Sequence, residues 1–327
     1  MWTALVFAAN AQDAVTLSAV RYAQEGLSQP SVTFHAAVDG RIDVALACGS
    51  KSFTLGTAIA SGTDYTITLA GLSRGAVTCK GKLALDASDG TSGEMPLSIG
   101  VEVFAPLKLT VDRADLDLVH HRLILRADRP LGRAEVTVFG PGSGSGSGSA
   151  TAGADGRVDL EWTGDQEPVR LAITGWDTHE LPSSLELLPW SYAIPHEDVV
   201  FASDSAAIDA TELPKLEKAW SEVQAVRAKY GAVVPIKLFV GGYTDTVGDA
   251  AHNGTLSRDR AKALAAWFRQ RGFDGPIAYQ GFGEGALAVA TADSVDEARN
   301  RRAIYLLAAE TPSLSSDVPR SDWATAP

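Results

Sequence analysis

Hydrophobic periodicity changes once along this chain, close to residue 195, and that change limits what the chain can fold into. Before it, apolar residues recur at every second position in short runs: "SVTFHAAV", "RIDVALAC", "DYTITLAG", "AVTCKGKLAL" and "LSIGVEVF". These runs are rich in Val, Ile, Thr and aromatics, and Gly, Ser, Asp and Asn separate them, as in strands with one face buried. Residues 14–104 therefore read as a small all-β sandwich. A second set, "LKLTVDR", "HRLILRAD", "AEVTVFG", "RVDLEW", "VRLAITGW" and "SLELLPW", makes another sandwich-like domain over residues 105–192. Inside it, "GPGSGSGSGSATAGADG" has the composition of a flexible coil. It lies between two strands and ends in the turn signal Ala154-Asp155-Gly156, so it reads as a long hairpin loop and not as a domain linker.

After "IPHED" the period alternates between that of a strand and that of a helix. "DVVF" is a short strand. Thr211 is placed to cap a helix that tolerates Pro214 in its first turn. Its apolar stripe is Leu213, Leu216, Trp220, Val223, Val226 and Tyr230, and Gly231 ends it. "PIKLFVG" is a strand. Ser257 is placed to cap the next helix, with Ala261, Leu264, Ala265 and Phe268 on one face and Gly272 beyond its end. "PIAYQG" is a strand, "SVDEARN" a short helix and "RAIYLL" a closing strand. The fold class is thus multidomain: two N-terminal all-β sandwich-like domains, then an α/β domain over residues 195–310 with right-handed βαβ crossovers. "WSYAIPHED" reads as a connector, and the polar tail, 311–327, as flexible.

Composition narrows the setting. The formal net charge is −12, which disfavours nucleic acid and anionic membrane as partners. No run of about eighteen apolar residues is present to span a bilayer as a helix. At the N-terminus, Thr3 to Ala9 form a short apolar run and Ala9-Asn10-Ala11 fits a small-residue cleavage site. Residues 1–13 therefore read as a signal peptide lacking its positive n-region; the alternative is a buried first strand. In an exported protein Cys48 and Cys79, both in strand-like segments of one domain, would pair as a disulfide; the alternative is two free buried thiols. Neither lies in a CxxC pair, so a metal is not expected there.

The stretch "GGYTDTVGDAAHNGTLSRDRA", Gly241 to Ala261, carries the clearest chemical signal. A strand runs into Asp245, a polar loop follows, and a helix starting at Ser257 would hold Arg258 and Arg260 in its first turn. Cations are disfavoured there by about 0.3–1 kcal/mol. In a crossover unit, ligands bind beyond the carboxyl ends of strands, where the next helix begins. Asp245 beside Arg260 and free helix N–H groups would suit an amino-acid head group: the ammonium on Asp245, the carboxylate on Arg260. Asn253 and Thr244 would hold the loop or donate further bonds. The plain alternative is a surface salt bridge between Asp245 and Arg260, worth about 0–1 kcal/mol.

At these residues the chain resembles the OmpA-like C-terminal domain, a family that also occurs in peptidoglycan-associated lipoproteins and flagellar stator proteins. The match rests on "GYTDTVGDAAHNGTLSRDRA", "GFGE" (Gly281 to Glu284) and "NRRAIYLL" (Asn300 to Leu307), and covers residues 195–308. The resemblance implies non-covalent binding of peptidoglycan through the diaminopimelate residue of its stem peptide, with no cofactor. Asp245, Arg260 and Asn253 fall on the family's aspartate, arginine and loop asparagine. Arg301 falls on an arginine that lines the pocket in some members; its alternative is a solvated strand-end charge. There are departures. "FASD" has Ala202 where family members often carry an acid, which leaves Asp204 to face the ligand, and Leu287 replaces a loop proline.

The resemblance implies an envelope protein with no enzymatic activity, periplasmic or associated with the outer membrane. It would be fastened to the wall while its β-domains meet an envelope protein partner. Two alternatives stand beside it. One is a wall-remodelling enzyme with a hydrolase in the β-domains, which would need a metal site or paired carboxylates in a groove. The other is an OmpA-like module that binds a protein partner instead of wall. His120-His121 lacks a spaced third ligand, His252 reads as an exposed loop residue, and "GSGSGSGS" lacks the lysine and helix of a phosphate loop.

Overall fold

Strand alternation becomes sheet register across the first hundred residues of the computed structural model, which describes residues 14–142, 144–202, 204–312 and 323–326. The signal segment expected at residues 1–13 lies outside the described residues. The chain divides into two compact units, Met1–Glu135 with Gly148–Glu161 and Ile173–Leu185, and Val136–Ser147 with Trp162–Ala172 and Glu186–Pro327. The boundary runs through the second set of strands.

The first set is β1 (Val15–Val20), β2 (Tyr22–Gln24), β3 (Ser31–Ala36), β4 (Gly40–Cys48), β5 (Lys51–Ile59), β6 (Thr63–Thr68), β7 (Gly75–Ala87) and β8 (Ser92–Phe104). One sheet has the order β1-β3-β6, the other β2-β8-β7-β4-β5. Both contribute to one core, in which Val32 and Phe34 join Ile42, Val44 and Leu46. Cys48 and Cys79 face each other across β4 and β7 and form the expected disulfide, with both residues buried.

The second set is β9 (Leu109–Thr110), β10 (Leu116–Asp117), β11 (Arg122–Ala127), β12 (Leu131–Phe139), β13 (Ser145–Thr151), β14 (Val158–Glu161), β15 (Arg170–Asp177) and β16 (Pro182–Leu187). Its sheets run β10-β11-β14, with β9 also on β11, and β13-β12-β15-β16. Here the structure corrects the flexible loop expected from the Gly/Ser run, because residues 145–151 are an edge strand. Backbone pairing overrides composition there. Thr163 N donates to Ser147 O at 3.1 Å. A Cβ on Gly146 would fall on the Thr163 carbonyl oxygen, so close approach demands glycine at that position. Before that strand, Gly140 N donates to Gly144 O at 3.3 Å.

In the second unit, β17 (Ser191–Ala193), α1 (Leu213–Tyr230), β18 (Lys237–Gly242), α2 (Ala250–Arg271), β19 (Ile277–Gly281), β20 (Ala303–Ala308) and β21 (Ala324–Thr325) build a sheet of order β17-β20-β18-β19-β21. β18 and β19 are parallel and α2 joins them, which is the expected crossover, while β20 runs antiparallel to β18. The α1 stripe Leu216, Trp220, Val223, Val226 and Tyr230 is buried as expected, together with Ala261, Leu264, Ala265 and Phe268 of α2. Leu213, at the helix start, is exposed.

Five local expectations change. "DVVF" is not a strand: Val200 N is taken by Glu212 Oε2 at 2.7 Å, and β17 occupies the place beside β20. β17 comes from the presumed connector, whose Trp190 is buried against Tyr230. Asp209 and not Thr211 supplies the capping oxygen before α1, accepting from Thr211 N at 2.8 Å in a 3-10 turn. α2 starts at Ala250, capped by Asp249, which accepts from His252 N at 2.9 Å. Ser257 is an interior residue of that helix. Of the tail expected to be flexible, residues 313–322 and 327 lie outside the described residues. Trp323 packs edge-on to Phe239 and Phe282, and β21 extends the sheet beside β19. Among the described residues, no helix is long and apolar enough to cross a membrane.

Candidate functional site

α2 lies directly on the ends of β18 and β19 because two glycines let it. A Cβ on Gly242 would strike the Ser257 carbonyl oxygen, and one on Gly281 would strike the main chain of Arg258. Ser257, fully buried, ties the contact by donating to Gly254 O (3.0 Å) and accepting from Gly283 N (2.9 Å). The approach carries Arg260 to the strand ends, where Asp245 follows β18.

The loop after β18 is held from below. Asn253 Nδ2 donates to Val247 O at 3.1 Å and Glu284 Oε2 at 2.8 Å, and reaches Asp245 O at 3.4 Å. Thr246 Oγ1 donates to Ala292 O at 2.7 Å and accepts from Val295 N at 3.1 Å. Asn300 exchanges two 2.9 Å bonds with the main chain of Val289. Asn253 is therefore a loop-holding residue. Thr246, Glu284 and Asn300 share that work and were not picked out from the sequence, although Glu284 stands in "GFGE" and Asn300 opens "NRR". Thr244 fixes the loop through its backbone, whose N–H donates to Gly283 O (2.9 Å), while its buried hydroxyl has no hydrogen-bond partner.

The charges are arranged differently from the sequence expectation. Asp245, 6% exposed, accepts from Arg301 Nη1 at 2.5 Å and from Val247 N at 3.2 Å. Arg301 also pairs with Asp296, and the two carboxylates raise its pKa. Asp245 and Arg260 are not bonded to each other. Arg260, only 8% exposed, donates instead to the carbonyl oxygens of Ser205 (2.9 Å) and Ala202 (3.3 Å) and lies over the Phe201 ring at 5.1 Å. Burial and then the nearby Arg301 lower its pKa, while Asp245 and Asp204 act the other way. The helix start does not bear on Arg260, because the N-terminus of α2 lies at Asp249 and is already capped. Asp204 stands at the rim, 73% exposed, and pairs with His252 Nε2 at 2.9 Å.

Arg260 and Arg301 line a cleft of about 290 Å³ with Phe201, Tyr243, Leu264, Arg299 and Arg302, and with Asp198 at its wall. Arg299 is held by Glu297, whose own pKa is pulled down to about 2 by the guanidinium and main-chain N–H of Arg299. The cleft is positive with one buried carboxylate at its side. That suits a small anion or zwitterion with an apolar stem. Among the described residues, no group of His, Cys, Asp and Glu could hold a metal ion.

Residues 200–301 match the model of the OmpA family, so this third of the chain is OmpA-like. No curated protein matches the sequence. Among solved structures, the OmpA-like domain of FopA1 from Francisella tularensis is similar at 17% identity, covering 49% of this chain and 79% of that one, with a TM-score of 0.28. The periplasmic domain of Helicobacter pylori MotB shares 14% identity over 44% of this chain and 83% of its own, with a TM-score of 0.28. A two-domain fibronectin type III segment of chicken tenascin shares 15% identity over 49% of this chain and 93% of its own, with a TM-score of 0.22. TM-scores this low carry no weight for function.

Proposed function

We propose that the OmpA-like part of the chain binds peptidoglycan without a covalent bond, by gripping the diaminopimelate head group, and so tethers an envelope protein to the cell wall. The observation that supports this most is the Asp245–Arg301 pair beside an Arg260 whose hydrogen-bond partners, among the described residues, are main-chain carbonyls. A zwitterionic head group can insert into such a pair with little net loss. Its ammonium replaces Arg301 on Asp245, and its carboxylate takes the released Arg301 together with Arg260. An ammonium alone would strand two guanidiniums, and a carboxylate alone would compete with Asp245.

In this reading Thr244, Asn253 and Asp204 have unequal parts. Asn253 keeps the loop in place, Thr244 Oγ1 offers an unused hydroxyl, and Asp204 works from the rim. The chain performs no chemistry of its own, works on the periplasmic side of the envelope, and leaves its β-regions free for a protein partner.

Sedimentation of the full chain with purified sacculi tests the proposal. Binding to diaminopimelate-type wall should exceed binding to lysine-type wall at least about tenfold, since a charge-assisted hydrogen bond contributes about 1.5–3 kcal/mol. Lysine-type wall lacks the carboxylate beside the ammonium. Equal binding to both would refute head-group recognition, and no binding to either would refute wall attachment.

A further inference from the structure

The cleft contains one more cation than a single head group can use. Arg299 is paired with Glu297, and Arg301 with Asp245 and Asp296. Among the described residues, Arg260 and Arg302 have no carboxylate at ion-pair distance. Arg260 is accounted for by the head-group reading. Arg302 is not.

Arg302 is fixed in place rather than free to swing into solvent. Its guanidinium lies 4.0 Å from the Tyr243 ring centre, and Nη2 donates to Ala286 O at 3.0 Å. Tyr243 is itself buried and stacked on Phe282 at 4.9 Å, so the platform beneath the guanidinium is rigid. Nη1 of Arg302 is buried and, among the described residues, has no hydrogen-bond partner. Buried N–H groups of a cation are almost always satisfied, so an orphan one on an arginine that lines the cleft points to an acceptor that arrives with the ligand. Asp198 lines the same cleft, but its carboxylate is turned to Ala303 N (3.3 Å) and lies 3.7 Å from His196.

We propose that Arg302 is a second carboxylate anchor, so that the cleft selects peptides carrying two carboxylates: one in the amino-acid head group and one on an adjacent residue. The inference rests on the wall-binding reading of the same cleft. In a diaminopimelate stem peptide, the adjacent γ-linked glutamate carries an α-carboxyl group that is either free or amidated. An arginine at that place makes the cleft a reader of this amidation: the free acid gains a charge-assisted hydrogen bond from Nη1, and the amide leaves Nη1 facing a neutral group.

The test uses the full chain and two synthetic tripeptides, alanyl-γ-glutamyl-diaminopimelate with the glutamate α-carboxyl either free or amidated, measured by calorimetry. The wild-type protein should bind the free acid about tenfold more tightly, the ratio that one charge-assisted hydrogen bond supplies. Arg302→Gln should bind the free acid as weakly as wild type binds the amide, and leave the amide's affinity unchanged. Arg302→Lys should keep part of the preference, which separates loss of charge from loss of the Tyr243 contact. Equal wild-type binding of both peptides overturns this proposal alone. An equal weakening of both peptides by Arg302→Gln overturns it as well, because the role is then structural. Binding of neither peptide overturns it together with the wall-binding reading.

Discussion

Arg301 Nη1 donates to Asp245 Oδ2 at 2.5 Å, while the neighbouring guanidinium of Arg260 donates to the main-chain oxygens of Ser205 and Ala202. Stability and binding should therefore separate between the two arginines. Arg301→Ala leaves the buried Asp245 carboxylate with a single N–H partner, and an unsatisfied charged group of this kind costs about 1–3 kcal/mol or more. It should lower the melting temperature and weaken sacculus binding together. Arg260→Gln removes a desolvated charge that sits beside a like charge. It should abolish sacculus binding while the melting temperature holds or rises. A clear drop in melting temperature for Arg260→Gln, with binding retained, would reverse the assignment of the two residues.

The identity of these residues was legible in the sequence, but their partnership was not. Asp245, Arg260 and Arg301 stand in local motifs, and spacing from β18 and α2 brings them to one corner. Which arginine reaches the aspartate depends on where α2 begins. Asn253 and Gly254 look like loop residues, yet they lie in the first turns of the helix. Asn253 spends its side chain on the loop, and the helix backbone at Asn253 and Gly254 is approached closely by Gly283, where a Cβ would crowd it. The same limit hid β13, where glycine is demanded by a neighbouring carbonyl and composition alone suggests a coil. It also hid β17, three residues too short to show an alternation. Cys48 and Cys79 were readable as a pair because both stand in strand-like segments of one β-domain, and they face each other across β4 and β7.

Glu297 borders the cleft and caps the 3-10 turn that carries Asn300, accepting from Arg299 N at 3.1 Å and from the Arg299 guanidinium at 2.9 and 2.8 Å. Its pKa is lowered to about 2. A depressed carboxylate contributes its stability in full above the unfolded value of about 4.3 and loses it as pH falls through the folded value, so this contribution fades between roughly pH 4.3 and pH 2. Carboxyl chemical shifts should show Glu297 titrating near the low end of that window. In Arg299→Ala the midpoint should move up toward an ordinary glutamate. An unchanged midpoint in the variant would mean that Arg299 does not hold this group.

Asp177 is fully buried and takes Arg129 Nε at 2.7 Å, His179 N at 2.8 Å and Leu181 N at 3.0 Å. Arg129 in turn donates to Ala105 O at 2.9 Å and to Gln24 Oε1 at 3.3 Å. Removing the carboxylate strands one cation and two N–H donors at once. Asp177→Ala should cost about 3–5 kcal/mol, the range for breaking a buried ion pair from one side. Urea unfolding of the full chain would register it as a lower midpoint at constant slope. A loss below about 1 kcal/mol would place the pair in solvent-screened surroundings, at odds with its burial.

The limits of the OmpA-like part can be tested by fragment length. A fragment of residues 195–310 follows the change in sequence periodicity, but it omits β17, the buried Trp190 and Ile194, and β21 with Trp323. Trp190 stacks on Tyr230 at 4.9 Å, and Ile194 N donates to Tyr305 O at 2.8 Å beside the His196 ring, which bridges the carbonyl oxygens of Ile194 and Ala303. Truncating one buried tryptophan costs about 3–5 kcal/mol, a large share of the roughly 5–15 kcal/mol that holds a domain together. A fragment of residues 186–327 restores all of these groups. Both fragments lack Glu167, whose carboxylate takes the Tyr230 hydroxyl at 2.6 Å, so that loss cancels in the comparison. With about 3 kcal/mol between them, the longer fragment should melt about 10 °C or more above the shorter, given the few degrees per kcal/mol of domains this size. Equal melting temperatures would mean that β17 and β21 decorate the sheet without stabilising it, and would put the domain boundary back at residue 195.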